Sequence, residues 1–450
     1  MGIANYTNLS ELMNKMLQQG NRVSIADMAD EAERRELILA SEGVRADRGD
    51  LENGFIDLVD ALYRAGAIRP DPADEAESHL LRLYESGALA QKGYNVLMLD
   101  RKPFPRDKIC GDAVPAGAID LLFSLGMEEK IRAADFYYID KLRLVSPKGY
   151  TMDADLEEAH HKARSAIVPR LQFDVLLQQH AIDSGAEFQV AQVKEPIVED
   201  GRVCGVRARV NGSTSEVRAP LVIGADGVTS VIARALRPEE HEDGHRAVAL
   251  RAYVDDIEEL PHEVEFYLYD EILPGYAWIF PTAEGQANIG LGMRLDIFRS
   301  EGHNLKELLD RFLDMPAVRK RLRPGAKIRD VATWQLNFGS QRNVRRAYDG
   351  AMLVGDAAGL INPLTGGGIS NAVTSAWLAA VTAHEAFLKG DFGYSSLRVY
   401  EEYCHQRLWP SMRRSFFIQR LIGIIPWAID LLIKRGQSDN EFAQTFMTKL

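Results

Sequence analysis

Apolar positions change rhythm along the chain. Over residues 1–88 they recur at helical spacing, at Leu9, Leu12, Met13 and Met16, then at Ile38 and Leu39, and after Gly43 at Phe55, Leu58, Val59 and Leu62. Ser24, Asp27 and Asp50 offer helix starts, and AIRPDPADEAE at 67–77 reads as a prolyl, acidic connector. From Gly93 the texture is different. GYNVLMLDRK is a turn followed by a short, nearly all-apolar strand, the pattern of a strand buried on both faces of a parallel sheet and not of an edge. Residues 115–133 predict a helix, KLRLVSPKGYTMDA from Lys141 a pair of antiparallel strands, and 170–184 another helix. A meander over 188–217 turns at Glu199-Asp200-Gly201 and at Asn211-Gly212.

LVIGADG then returns to an apolar strand ending in glycine and aspartate. Strands dominate 247–293 in AVALRAYV, VEFYLYD, YAWIFP and QANIGLGM, and with those near 141–154 and 331–337 they predict an antiparallel sheet. GAMLVGDAAG at 350–359 reads again as a buried strand entering a glycine turn, and the tail is helical. The chain thus leaves a first α/β domain, builds a second and returns. The expected division is an acidic helical extension at 1–88, a discontinuous nucleotide-type domain at 89–140, 170–240 and 341–400, a substrate domain at 141–169 and 241–340, and C-terminal helices at 401–450.

The composition, 46% hydrophobic and 26% charged over 450 residues, excludes a disordered tail, a fibre and a small disulfide scaffold. The net charge of -12, most of it in 1–88, makes nucleic acid a poor partner. Cys110, Cys204 and Cys404 are too far apart for a metal knuckle or a stapled secreted fold, which suits a reducing cytoplasm. No basic stretch followed by an apolar run opens the sequence, and no uninterrupted apolar stretch reaches membrane-spanning length.

Two turns carry chemistry. In LVIGADGVTSVIAR (221–234), Gly224 and Gly227 permit close backbone approach and Asp226 supplies an acceptor or orients the turn, although a tight strand-to-helix connection explains the pattern equally well. In AMLVGDAAGLINPLTGGGISNAV (351–373), Gly355 and Asp356 end a strand. Gly366, Gly367 and Gly368 there precede a helix beginning near Ile369. Such a helix start offers free N–H groups to an electron-rich ligand edge, and three consecutive glycines weaken a purely structural account.

GADGVTS and LVGDAAGLINPLTGGGI resemble the second and third FAD motifs of flavoprotein monooxygenase-fold enzymes. RKPFPRDKICGDAV (101–114) and PGYAWIFP (274–281) narrow the resemblance to the geranylgeranyl reductase family, over about 89–430. The resemblance implies an FAD-binding α/β fold with an interrupted parallel sheet and an antiparallel substrate domain. It implies FAD-dependent reduction of isoprenoid double bonds, with electrons from NAD(P)H or ferredoxin and with a possible reductase partner. The substrate would be a prenyl chain on a lipid, pigment or quinone. By the same resemblance Asp100 holds the adenosine ribose and Arg170 sits beside the cofactor. Asp356 binds the ribityl or pyrophosphate region, Pro363 borders the flavin, and Gly366–Gly368 with Ile369 line its ring. Lys108, Cys110 and Gly111 lie on the substrate side, and Tyr276, Trp278 and Phe280 line an isoprenoid channel. Cys110 and Tyr276 are the candidate proton donors.

One element of the family pattern is missing. The glycines of its opening GxGxxG fall at positions held by Glu77, His79 and Arg82. Glu77 and Glu85 would repel a pyrophosphate, which that turn normally meets with backbone N–H groups. Three readings stay open: an altered or misassigned N-terminus, weak FAD binding, or a flavin-free interaction protein descended from the fold. A hydroxylase- or halogenase-like oxidation on the same scaffold is a further alternative.

Other residues are weighed more briefly. Cys110, close to Arg101, Arg106 and Lys108, suits either a reactive thiol or a half-buried loop cysteine, whereas Cys204 and Cys404 read as core. His160 and His161 are adjacent and lack ligand spacing, so no metal is expected. On a strand Tyr276, Trp278 and Phe280 share one face and Ala277 and Ile279 the other. FFIQRLIGIIPWAIDLLIKR (416–435) is interrupted by Gln419, Arg420, Pro426 and Asp430 and so does not span a bilayer. Packing against the body and contact with a membrane surface both suit it, the second through Trp427 and the flanking Arg413, Arg414, Lys434 and Arg435.

Overall fold

A computed structural model describes residues 89–156, 163–237, 241–258 and 262–449. The expected helices of 1–88, the positions of the missing glycine turn and the pair His160–His161 lie outside the described residues.

The parallel pairing expected of an α/β fold is present. Val222–Gly224 runs beside Ala351–Leu353, with Val222 opposite Ala351 and Gly224 opposite Leu353, and Ala347–Tyr348 adds an antiparallel edge. Gly224 is needed for this closeness, because a Cβ there would lie 2.7 Å from a Leu353 methyl and 3.3 Å from Ile232. Leu97–Asp100 pairs in parallel with Glu187–Val190. The strand over Leu97–Asp100 departs from the expected doubly buried pattern: it has one partner among the described residues, and Leu97 is 40% exposed. Among the described residues its second edge therefore has no neighbouring strand, which an all-apolar sequence anticipates. The meander forms as read, Gln192–Glu199, Arg202–Val210 and Ser213–Arg218, and packs its buried Val203 and Val206 under both parallel pairs.

The second body is a seven-stranded sheet in the order Leu322–Asn337, Arg246–Ile257, Gln286–Arg294, Tyr276–Ala283, Glu263–Tyr267, Lys141–Val145, Thr151–Asp155. All neighbours are antiparallel except Glu263–Tyr267 with Lys141–Val145, which join in parallel where the chain returns from its excursion through the first body. Alternation sorts its faces. Ala277 and Ile279 enter the core with Leu250, Ile289 and Phe312, while Trp278 and Phe280 face a separate cluster with Ile167 and Val264. That second face looks toward the first body.

The long helix Ile369–Lys389 covers the parallel strands and buries Trp377, Leu378 and Val381. The helix read over 115–133 is broken at Gly126, whose φ of 85° is left-handed, into Ala116–Leu122 and Glu128–Ala133. The tail forms Val399–Ile424 and Trp427–Ser438, bent by 110° about Ile425–Pro426. No single helix among the described residues is long and apolar enough to cross a membrane. Cys404 is buried as expected, but Cys204 is not core: it is half-buried beside Arg218, because the register shift between Ile197 and Val198 leaves Val203 and Val206 to fill the interior.

Gly290 marks the tightest approach on the sheet face that matters later. A Cβ there would collide with the Leu250 carbonyl oxygen and the Trp278 ring. Gly290→Ala is expected to destabilise the protein by about 1–3 kcal/mol through overpacking, read as a lower urea midpoint at unchanged slope.

Candidate active site between the glycine loop and the aromatic sheet face

One wall is the loop that joins the parallel strand Ala351–Leu353 to the helix Ile369–Lys389. Gly355 and Gly366 adopt left-handed φ of 56° and 63°. Asn362 closes the loop on itself, its Oδ1 accepting from Leu364 and Thr365 N–H at 2.9 and 3.1 Å and its own N–H donating to the Gly367 carbonyl at 2.9 Å. At Gly368 a Cβ would lie 2.5 Å from Ile361 and 3.4 Å from Asp356 Oδ1. The helix then starts with no side chain capping it. Its first N–H groups therefore start from a run of bare glycine backbone beside the Asp356 carboxylate.

The opposite wall is the strand Tyr276–Ala283. Tyr276, Trp278 and Phe280 follow one another on one face with ring centroids 6.0 Å apart, and Phe266 meets Tyr276 and Phe280 edge-on. The Tyr276 hydroxyl donates to the Thr365 carbonyl, which ties the two walls together. Burial pushes the Tyr276 phenol well above its ordinary pKa.

The segment after Asp100 forms the third side. Gly111 lies against the rings: a Cβ would come within 3.2 Å of Phe280 and 3.7 Å of Trp278 Nε1. Cys110 is thereby brought to the aromatic wall. A row of ion pairs runs toward it. Arg106 donates to Asp100 at 2.8 Å and to Asp174 at 2.9 Å, and Arg170 donates to Asp174 at 2.6 Å. Burial opposes the charge on Arg170, but Cys110 and Asp174 outweigh it and raise its pKa. Lys108 reaches across to Asp356 at 3.1 Å, so the loop and the glycine wall are joined by an ion pair as well.

Three partners of this loop escaped the sequence reading. Asp112 is fully buried, and its Oδ2 accepts from Tyr253 at 2.6 Å and from Asn288 at 2.8 Å. Burial pushes its carboxyl up to about 6, against the hydrogen bonds of Tyr253 and Asn288 and the charges of Arg251 and Arg170. Arg251, 1% exposed, donates to Asp107 at 2.6 Å and lies over the Tyr253 ring. The signal for two of them was legible as an anomaly: Arg251 is a lone charge in the apolar strand AVALRAYV, and Asn288 is a polar residue inside the apolar run of QANIGLGM.

The structure thus brings together Lys108, Cys110, Gly111, Arg170, Tyr276, Trp278, Phe280, Asp356 and the run Gly366–Ile369. Pro363 borders the same loop, its carbonyl accepting from Gln419. Gly224, Asp226 and Gly227 have local duties: Gly224 allows strand packing, Gly227 turns at φ 78°, and Asp226 accepts from Val231 N–H at 2.8 Å at the start of Val231–Leu236. Asp100 is engaged by Arg106 and by the Lys102 N–H. Behind the glycine loop, His241 packs on Gly359 and His245 stacks on Phe416 while bonding Ser340. Burial, together with Arg237 and Arg346, lowers His241 to about 3, and burial with Arg420 and Arg294 lowers His245 to about 4.

The model of the FAD binding domain family matches residues 83–415. The chain is 33% identical to the digeranylgeranylglycerophospholipid reductase of Methanosphaerula palustris over 70% of its length and 76% of the relative's. With the enzyme of that name from Thermoplasma acidophilum it shares 30%, over 75% and 83%. Among solved structures it resembles a geranylgeranyl bacteriochlorophyll reductase-like protein of Thermoplasma acidophilum, with a TM-score of 0.65 and 28% identity over 75% of this chain and 84% of that one. The flavin-dependent brominase Bmp2, at TM-score 0.61 and 20% identity over 79% and 90%, shares the fold.

The two histidines give the site a pH limit. Both bind a proton more tightly in the unfolded chain, so the stability they contribute is present above about pH 6.5 and is lost as the pH falls toward the lowered values. Asp112 acts in the opposite direction below about pH 6 and offsets part of that loss. Urea midpoints should fall between about pH 7 and about pH 4.5, and His245→Gln should shrink the difference.

Proposed function

The chain belongs to the FAD binding domain family, and from that premise we propose that it reduces carbon–carbon double bonds of a polyprenyl lipid. The relatives named for reducing a digeranylgeranylglycerophospholipid support this reading. The observation that carries it is the aromatic face Tyr276–Trp278–Phe280, which leads from the glycine loop to Cys110–Gly111. A flat apolar wall suits an isoprenoid chain, whose transfer from water is worth about 0.8 kcal/mol per CH₂. In this reading 89–140, 170–240 and 341–400 form the FAD-type domain, 141–169 and 241–340 the substrate domain, and 401–450 closing helices.

The residues present fit the flavin end of FAD. Side chains at Gly366 or Gly368 would strike the Tyr276 hydroxyl and Ile361, so the loop must present bare backbone; the helix start at Ile369 carries no side-chain cap, and Asp356 would offer an acceptor for ribityl hydroxyls. Once bound and reduced by an external electron donor, FAD would supply the hydride for the double bond. Phe280, Trp278 and Tyr276 hold the prenyl chain and keep water out. The proton for the second carbon comes from Cys110. Tyr276 is the poorer donor, because its hydroxyl proton is committed to the Thr365 carbonyl and burial disfavours its phenolate. Arg170 beside the thiol offsets the charge left on sulfur.

The elbow of the tail suits delivery of such a substrate from a membrane surface on the cytoplasmic side. Ile424 is 56% exposed there, and Gly423 lies against Pro274, next to the aromatic strand. Lys434 and Arg435 sit over the rings of Tyr150 and Phe442, so the contact is apolar more than ionic. Co-sedimentation with vesicles should be lost in Ile424→Asp and little changed in Lys434→Ala. Wild-type protein left wholly in the supernatant would make the elbow ordinary packing.

Dithionite-reduced, FAD-loaded full-length protein, kept anaerobic with a digeranylgeranyl glycerophospholipid, should yield products richer by two hydrogens per reduced bond. Cys110→Ser should lower kcat about a hundredfold. A colourless protein with no saturable response to FAD would favour the flavin-free reading. An oxygenated or halogenated product formed only in air would favour the oxidative one.

A further inference from the structure

Arg246–Ile257 and Gln286–Arg294 are neighbours in the sheet, and their register sets Tyr253 directly opposite Asn288. Both side chains reach one oxygen, Asp112 Oδ2. Asn288 Nδ2 also donates to the Cys110 carbonyl at 2.8 Å, and Asn288 Oδ1 accepts from Trp278 Nε1 at 2.9 Å. The carboxamide therefore holds the Cys110 backbone and the central ring of the aromatic wall at once.

Asp112 itself is unusual in three ways. Its φ of 66° is left-handed in a residue that is not glycine. Its Oδ1 is buried with no hydrogen-bond partner, a costly arrangement for a group that serves packing alone. Its own N–H donates to Cys110 Sγ at 3.3 Å, and its carbonyl accepts from Val168 N–H at 2.8 Å. Strain kept in place by surrounding bonds is characteristic of groups that hold a reactive atom.

We propose that Asp112 is a positioning residue for the Cys110 thiol. Tyr253 and Asn288 grip its carboxyl, the grip holds the left-handed turn, and in that turn the Asp112 N–H fixes the sulfur against the aromatic face. The consequence for turnover rests on the reductase reading above; the geometry of the thiol does not. Deleting the carboxyl or loosening its partners should free the sulfur without moving the rest of the protein.

Two substitutions loosen the grip on the turn. Asp112→Gly tolerates the left-handed backbone without strain but removes the carboxyl that pins it, so the turn and its N–H are free to leave that conformation. Tyr253→Phe leaves Asp112 in place and removes one donor. Alkylation of each cysteine by iodoacetamide is followed by peptide mass spectrometry in the full-length protein, with Cys204 and Cys404 as internal references. Both variants should react about fivefold faster at Cys110, in line with one lost hydrogen bond, and unchanged at Cys204 and Cys404. Turnover of the lipid should show kcat lowered about tenfold with KM within about twofold. A wild-type Cys110 rate in Asp112→Gly, or acceleration of all three cysteines together, overturns the proposal. Failure of the wild type to reduce the lipid counts against the reductase reading and leaves the alkylation result to decide on Asp112.

Discussion

A buried carboxamide in an apolar sheet has to find partners, and those of Asn288 come from separate stretches of chain. Its two donors and one acceptor join the Cys110 carbonyl, the Asp112 carboxyl and the Trp278 indole. Left unpaired, each group would cost more than a paired one gains, so the arrangement is enforced by desolvation as much as by attraction. With Tyr253 on Asp112 and Arg251 on Asp107, that side chain lets the seven-stranded sheet hold a loop that belongs to the other body. The aromatic wall and the thiol keep their relative places because of it, and the Tyr276 hydroxyl on Thr365 adds the glycine loop.

Charge does the rest of the joining. Arg106 and Arg170 link Asp100, Asp174 and Cys110 in a row, and Lys108 ties the same loop to Asp356. These groups are partly or largely withdrawn from water, where a missing partner costs more than it would at the surface. Lys108 and Asp356 also carry a functional tension. The family resemblance gives the carboxylate to the cofactor and the lysine to the substrate side, whereas the fold pairs them. Either ligand would then meet a site already braced by its neighbour.

Much of the architecture could be read from pattern. Apolar runs ending in glycine and aspartate found Val222–Gly224 and Ala351–Leu353, and alternation found the shared face of Tyr276, Trp278 and Phe280. Glycine and asparagine turns found the meander. The failures are equally physical. LMLD reads as doubly buried because its residues are apolar, yet burial depends on which strand lies beside it. Cys204 reads as core from VCGV, but it is the extra residue of a bulge, between Val203 opposite Val198 and Gly205 opposite Ile197, and lies beside Arg218.

The sequence by itself determined which segments are strands or helices, where backbone must pass without a Cβ, and which residues could carry chemistry, because these follow from local sterics and from periodicity. It did not determine who faces whom. Asp112 is one polar letter after Cys110-Gly111, and Arg251, Tyr253 and Asn288 are scattered polar letters in two apolar strands far along the chain. Only sheet register and the docking of two bodies brought them within hydrogen-bond distance. A hydrogen bond depends on three-dimensional distance and angle to within fractions of an ångström, and no pattern along one chain encodes that directly.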